Sequence, residues 1–170
     1  MSSRNRPPVD PGTFRRTVGR FASGVTVITT ADGERVHGMT ANGFLSVSLD
    51  PPLVLVSLGK TSRTAKLLRR TRRYGVSVLA DDQQLQSQHF AGRPAPGLVP
   101  EFDHVGGIAY LRGSISQIGC EVTKIHRAGD HLLFVGRVTH LACADREPLV
   151  FFTGSYRALY AETAGQLFTY

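Results

Sequence analysis

The sequence predicts a mainly β domain, an antiparallel barrel or sandwich with a few peripheral helices. Three observations predict it. About seven or eight segments are short, strand-sized and rich in β-branched residues, against two or three of helical period. Tight-turn signals such as Asp32-Gly33 and Gly129-Asp130 join many of these segments directly. Strands and helices do not alternate regularly, which argues against a doubly wound parallel sheet. Closing the sheet also hides the edges that so many strands would otherwise expose.

Each element follows from its residues. Residues 1–12 are polar, carry Pro7, Pro8 and Pro11, and have no apolar stretch behind them. They are expected to be a flexible N-terminal extension rather than a secretory signal, with one domain over 13–170. Phe14, Val18 and Phe21 at i, i+4 and i+7 predict a helix over 11–20, stopped by Gly24. Residues 25–30 form a β-branched run, 31–34 a turn, and 36–40 the return strand. From Phe44 to Leu49, Phe and Ser alternate with Leu, Val and Leu, as in a strand; Asp50-Pro51-Pro52 breaks it. Leu53–Leu58 is apolar enough for a central strand.

A helix is expected over 61–73 with Ala65 and Leu68 facing inward, then a strand over 74–80 and a helix over 82–90. Residues 91–104, with Gly92, Pro94, Pro96, Gly97 and Pro100, read as a long loop, which in a compact domain is usually functional or mobile. Strand-like segments follow at 108–118, 120–126, 131–141 and 150–152, with Ala128-Gly129-Asp130 as a hairpin turn.

Chain length and composition bound the function. At 170 residues, the chain buries roughly 70% of its unfolded surface and needs neither metal nor disulfide. A hydrophobic fraction of 41% with 19% charged residues excludes wholesale disorder. Apolar runs such as Leu53–Val56 are strand-sized, so no membrane span is expected. Cys120 and Cys143 lack metal-ligand spacing and are expected to be free thiols in a cytoplasmic protein. No metal site is predicted.

The charge is the unusual feature. Twenty Lys and Arg stand against thirteen Asp and Glu, a net charge of +7, which invites an anionic partner. Seven of those cations lie between Lys60 and Arg73, with no acid among them. Arg63, Lys66, Arg70 and Arg73 share one helical face. At the start of that helix, Ser57, Thr61, Ser62 and Thr64 surround Gly59. A strand end, a glycine, hydroxyls and a helix N-terminus suit an anion, with Lys60 or Arg63 adding an ion pair to a phosphate. Walker and dinucleotide fingerprints are absent. Nucleic acid is disfavoured as the anion. The chain has no tryptophan, its aromatics are not interleaved with the basic run, and it carries no zinc-finger or basic-zipper pattern.

The most informative stretch is Met39-Thr40-Ala41-Asn42-Gly43-Phe44-Leu45-Ser46-Val47-Ser48-Leu49-Asp50-Pro51-Pro52-Leu53-Val54. With Gly24-Val25-Thr26-Val27, Ser62-Arg63-Thr64, His89-Phe90-Ala91-Gly92, Gly129-Asp130-His131, Gly136-Arg137-Val138, Pro148-Leu149 and Tyr156, it resembles the short-chain flavin reductases. These are NAD(P)H:flavin oxidoreductases that feed reduced flavin to a separate monooxygenase. The resemblance spans roughly residues 14–159.

It implies a split β-barrel of the FMN-binding type, acting as a homodimer. FAD or FMN would be reduced by hydride from NADH, with NADPH left open, and passed to a partner monooxygenase. By resemblance, Thr40, Ala41, Asn42, Gly43 and Phe44 lie along the flavin ring, and Ser46 and Val47 beside the ribityl chain. Ser57, Leu58, Gly59, Ser62, Arg63 and Thr64 match the phosphate end. His89 and Phe90 match a flavin-contacting pair, with a core role for Phe90 as the alternative. His131 matches the place where nicotinamide approaches, the one catalytic position, with Asp130 orienting its ring or shaping the turn. Tyr156 matches a nucleotide-binding segment, although 152–156 lacks the basic residues often found there. The alternative is a non-catalytic flavin carrier or sensor of the same fold. A related barrel using a phosphorylated pyridoxine compound is disfavoured by Gly129-Asp130-His131.

Overall fold

A computed structural model describes residues 7–159 of the chain. Its first helix, α1 (Pro11–Val18), begins inside the stretch expected to be an extension. The Asp10 carboxylate accepts from the Thr13 N–H at 2.7 Å and Pro11 opens the first turn, two local features that start a helix there. Among the described residues nothing covers the apolar stripe here: Phe14 and Val18 of α1 and Phe21 just beyond it are 57%, 51% and 83% exposed.

Twelve strands follow among the described residues: β1 (Ser23–Gly24), β2 (Thr26–Asp32), β3 (Arg35–Ala41), β4 (Phe44–Leu49), β5 (Pro52–Gly59), β6 (Arg73–Val78), β7 (Phe102–Val105), β8 (Ile108–Leu111), β9 (Ser116–Ala128), β10 (His131–Cys143), β11 (Val150–Phe152) and β12 (Ser155–Arg157). Two further helices, α2 (Arg63–Thr71) and α3 (Gln84–Phe90), interrupt them. Seven strands form one antiparallel sheet in the order β3-β2-β6-β9-β10-β5-β4.

Its two edge strands are consecutive in the chain, joined only by Asn42 and Gly43. Laid flat, edges six strands apart would be separated by roughly 29 Å. The link from Ala41 to Phe44 reaches at most roughly 11 Å. The sheet must therefore curl on itself. Gly43 marks the meeting point, its carbonyl accepting from Ser57 N–H at 2.8 Å. The remaining strands make two small sheets, β1-β11-β12 and β7-β8, so the barrel is split rather than continuous.

The core fills the curl. Ile28, Val56, Leu58, Leu68, Tyr74, Val76, Cys120 and Phe134 are wholly buried in one cluster. Val25, Val27, Leu79, Leu111 and Leu149 form a second cluster near the small three-stranded sheet. Ala65 and Leu68 of α2 face inward as expected, joined by Thr64 and Leu67. α2 ends at Thr71 because Arg72 turns left-handed (φ 57°), so Arg73 belongs to β6 and leaves the expected basic helix face.

Three other expectations change. The long loop ends in strand β7, which pairs with β8 through Gly106-Gly107, both at positive φ. The run expected over 108–118 breaks after β8, where Gly113 turns at φ +79°. β9 then runs through Gly119, which pairs with Gly75 of β6 and where a side chain would collide with the Tyr110 hydroxyl. Cys120 is buried and Cys143 exposed; both are free.

Candidate functional site

β3 carries Thr40 and Ala41 to the mouth of a cleft of about 350 Å³, and Asn42 continues its rim. Three elements meet there through one buried serine. Thr40 Oγ1 donates to the Ser87 carbonyl of α3 at 2.6 Å, and Ser87 Oγ lies 2.8 Å from the Tyr156 hydroxyl of β12. The Tyr156 ring meets Phe151 edge-on at 5.6 Å. The hairpin holding Tyr156 turns through Thr153 and Gly154, both at positive φ. Val25, Ala41 and Phe151 give the cleft apolar lining, and Asn42, Gln88 and Arg93 give it polar lining.

A backbone ridge continues from Asn42. A Cβ on Gly43 would come within 3.1 Å of Ser57 Cβ and 3.2 Å of its carbonyl, so only glycine lets β5 approach this closely. Ser57 leads through Leu58, whose side chain is wholly buried and offers only backbone, to Gly59. Ser62 then caps α2, its hydroxyl accepting from Ala65 N–H at 3.2 Å. The first helical bond is Lys66 N–H to the Ser62 carbonyl, so the N–H groups of Arg63 and Thr64 have no intrahelical partner.

The side chains at this helix start are partly committed. The Thr64 hydroxyl is buried, 3.0 Å from His37 Nε2 of β3. Arg63 is ion-paired to Asp32, with its own side chain largely exposed. Burial holds His37 below the ordinary imidazole range, the Arg63 charge adds to that, and Asp32 opposes it.

His131 starts β10 opposite Gly59 of β5. Its Nδ1 lies 2.7 Å from Asp130 Oδ1, leaving Nε2 for a ligand. The hydrogen bond and charge of His131 hold the Asp130 carboxyl below its usual range. Lys60 N–H donates to the Asp130 carbonyl at 3.0 Å, which ties the hairpin tip to the Gly59 loop.

The remaining expected residues fall elsewhere. A Cβ on Gly38 would sit 2.7 Å from the Phe90 ring. Phe90 packs on β3, beside Phe102 at 6.2 Å, and against the second core cluster. His89 stacks edge-on with Phe90 at 5.1 Å, and its Nδ1 is buried without a hydrogen-bond partner. Phe44 is half-buried against the first core cluster. Ser46 and Val47 are exposed on edge strand β4, where the register slips between Ser46 and Ser48.

The structure thus joins Thr40, Ala41 and Asn42 to Tyr156, Gly43 to Ser57, and Gly59 to His131. It does not bring His131 into the Thr40 cleft: the two line different cavities. Sequence reasoning missed Ser87, Gln88 and Arg93. Ser87 and Gln88 adjoin His89 on one short helix, and Arg93 is the one cation in the Gly/Pro-rich loop; those were the available signals.

Similarity to known proteins identifies the family. The family model described as flavin reductase like domain matches residues 18–160. A Rhodococcus protein named NADH-dependent flavin reductase is 49% identical over 156 residues, 90% of this chain and 89% of the relative. The reductase component of a 4-hydroxyphenylacetate 3-monooxygenase from Thermus thermophilus is 36% identical over 147 residues, 86% of this chain and 95% of the relative. The solved flavin reductase PheA2 superposes with a TM-score of 0.87 at 42% identity, covering 90% of this chain and all of that one. A match of this length, with identities of this order across nearly the whole chain, makes the protein a member of the flavin reductase like domain family.

Proposed function

We propose that this chain is an NADH-dependent flavin reductase that reduces FAD or FMN and hands it to a partner monooxygenase, with 13–170 as its single catalytic domain. One observation carries the reading. A backbone ridge, Asn42-Gly43 against Ser57-Leu58-Gly59, runs from the cleft to a helix start whose Arg63 and Thr64 N–H groups have no intrahelical partner.

A flavin fits that ridge by its chemistry. Its flat ring needs backbone donors and acceptors with little side chain in the way, which Thr40–Phe44 offers, with Ala41 and Gly43 the smallest. Its phosphate needs N–H donors and a cation, which Arg63, Thr64 and the capped end of α2 offer. The buried, unpartnered His89 Nδ1 is a further polar group lying next to the cleft-lining Gln88. When bound, the flavin supplies the redox chemistry, accepting a hydride from nicotinamide.

The chain's part is to bind and orient. Backbone donors along Thr40–Phe44 stabilise negative charge on the ring edge. Ser46 and Val47 flank the ribityl chain from β4. Ser57, Leu58, Gly59 and Ser62 hold the phosphate loop in shape. By the resemblance His131 is the position for the incoming nicotinamide, with Asp130 fixing its ring orientation, although it stands beside Gly59 in a cleft apart from Thr40. Tyr156 braces the cleft lining through its hydrogen bond to Ser87. Phe90 serves by packing on Gly38 and so keeping β3 in place. The uncovered apolar residues of α1 and β4 are the surfaces offered to a second copy, and the cytoplasm supplies both NADH and free flavin.

Purified protein mixed with NADH and either FAD or FMN is expected to oxidise NADH. No oxidation with NADH or NADPH and either flavin overturns the reading. Arg63→Ala is expected to weaken flavin binding about tenfold or more, the worth of a charged hydrogen bond. Unchanged flavin affinity would return Arg63 to Asp32 alone.

A further inference from the structure

One formal charge faces the cleft at Thr40. Among the described residues that line it, Arg93 is the single charged residue, and none is acidic. Elsewhere among the described residues, Arg63, Arg112, Arg137 and Arg146 each have a carboxylate partner, whereas Arg93 has none within ion-pair distance. Val25, Ala41 and Phe151 give the same cleft apolar lining. A cation beside apolar surface acts on a bound charge more strongly than it does across open water.

Local structure fixes where Arg93 stands. α3 ends in a wrapped turn: Gly92 takes φ +84°, and the Arg93 N–H returns to the Gln88 carbonyl at 3.0 Å. Such a turn satisfies carbonyls at the helix end and needs a glycine at its left-handed position. Ser87, the residue before Gln88, is itself tied to β3, its carbonyl accepting from Thr40 Oγ1 at 2.6 Å. The start of the long loop is thereby registered to α3, and α3 to Thr40.

The charge matters because of what hydride transfer does. A hydride carries two electrons and one proton. Its loss leaves the nicotinamide with one more positive charge, and its arrival leaves the flavin ring with one negative charge until a second proton follows. Thr40, Ala41 and Asn42 of the ring-binding segment line this cleft, whereas Arg63 and Thr64, assigned to the phosphate, do not. Arg93 is therefore placed for the ring. A fixed cation there binds the charged product more tightly than the neutral starting ring, which is how a site discriminates between the two forms.

We propose that Arg93 sets the preference of this site for reduced over oxidised flavin. The assignment rests on the flavin reductase reading and adds to the backbone donors of Thr40–Phe44 the one side chain that carries a full charge to the ring. Neutralising it loosens the hold on the reduced product and leaves the hold on the oxidised substrate nearly as it was.

The test compares affinities on the full chain. Kd is measured for oxidised FMN and FAD, and anaerobically for their reduced forms, in the wild type, Arg93→Gln and Arg93→Lys. Arg93→Gln is expected to bind reduced flavin about tenfold more weakly, the worth of one charged hydrogen bond, with the oxidised affinity within about twofold of wild type. By linkage, a tenfold change in that ratio lowers the potential of the bound two-electron couple by about 30 mV, read by equilibration with a reference dye. Arg93→Lys, which keeps the charge, is expected to retain most of the preference. Unchanged melting temperatures check that both variants fold. Equal weakening of both redox forms in Arg93→Gln overturns the proposal, since Arg93 would then be a plain binding group. An unchanged ratio overturns it too, as does a lysine variant no better than the glutamine one. If the wild type binds and reduces flavin while the ratio is unchanged in Arg93→Gln, the role of Arg93 alone is lost. If the wild type binds neither form and oxidises no NADH, the flavin reductase reading falls and takes this assignment with it.

Discussion

His37 couples two parts of the candidate site. It sits on β3, three residues before Thr40, and its Nε2 meets the buried Thr64 hydroxyl at the start of α2. Burial and the nearby Arg63 favour its neutral form; Asp32 is the one group working the other way. The consequence for stability has a definite sign. The folded pKa lies below the ordinary 6.5, so on acidification the unfolded chain takes up a proton before the folded one. Stability is therefore full above the ordinary value and falls as pH drops through it toward the folded value. Melting temperature is expected to decline from about pH 7 to pH 6 more steeply in the wild type than in His37→Gln. Equal slopes in the two proteins would remove His37 from this account. The same residue shows the limit of reading chemistry from spacing. Thr64 looks like a phosphate hydroxyl in the sequence, yet its side chain is spent on His37 and only its N–H remains. Ser62 is likewise spent on capping α2.

At the scale of elements, the β9–β10 hairpin organises the molecule. Each arm is 13 residues long, and the turn is Gly129-Asp130, with Gly129 at φ +60° as a two-residue hairpin demands. β10 slips register at Gly136, where Cys120 of the adjacent β9 and Tyr74 of β6, one strand further on, fill the space. A Cβ on Gly136 would collide with the Tyr74 hydroxyl and come within 2.9 Å of Cys120 Cβ. Both neighbours are wholly buried, and burial pushes the Cys120 thiol up to about 12, so it acts as a small apolar group. Gly136→Ala is expected to cost about 1–3 kcal/mol in chemical denaturation, the ordinary cost of overpacking. Adding Tyr74→Phe, which removes the colliding oxygen, is expected to recover part of that loss. A neutral single variant would refute the packing argument. Long elements of this kind were legible because their patterns are strong. β1 and β12 were not, since two or three residues form a strand only through their partner β11.

Among the described residues, sets of large apolar side chains lie uncovered on β4 and around α1. On β4, Leu45, Val47 and Leu49 are 59%, 48% and 96% exposed. Phe14 and Val18 of α1, with Phe21 just beyond it, are open as well. Sets of large apolar side chains such as these mark an interaction surface rather than scattered exposure. Since β4 is an edge of the main sheet, association there also covers a row of backbone groups. The purified protein is expected to behave as a dimer in light scattering, and Leu49→Glu to shift it toward monomer. A monomeric wild type would sink the dimer. The alternation in 44–49 was correct as a strand pattern, but its apolar side faces outward, because Phe44 and Ser48 take the inner positions.

The sequence by itself determined the fold class, the hairpins, the buried face of α2 and the order of motifs that ties the chain to its family. These depend on local periodicity, turn chemistry and residue type, all written along the chain. Only the tertiary structure decided which expected residues share a cavity. It put Thr40 with Tyr156 across a 116-residue separation, through a buried serine that no pattern announced. It moved His131 to a different cleft, turned Phe90 onto Gly38, and set Lys60, Arg69 and Arg127 together. Such juxtapositions follow from how a seven-stranded sheet must curl when a two-residue link joins its edges. That constraint belongs to the curled sheet as a whole and to no single segment.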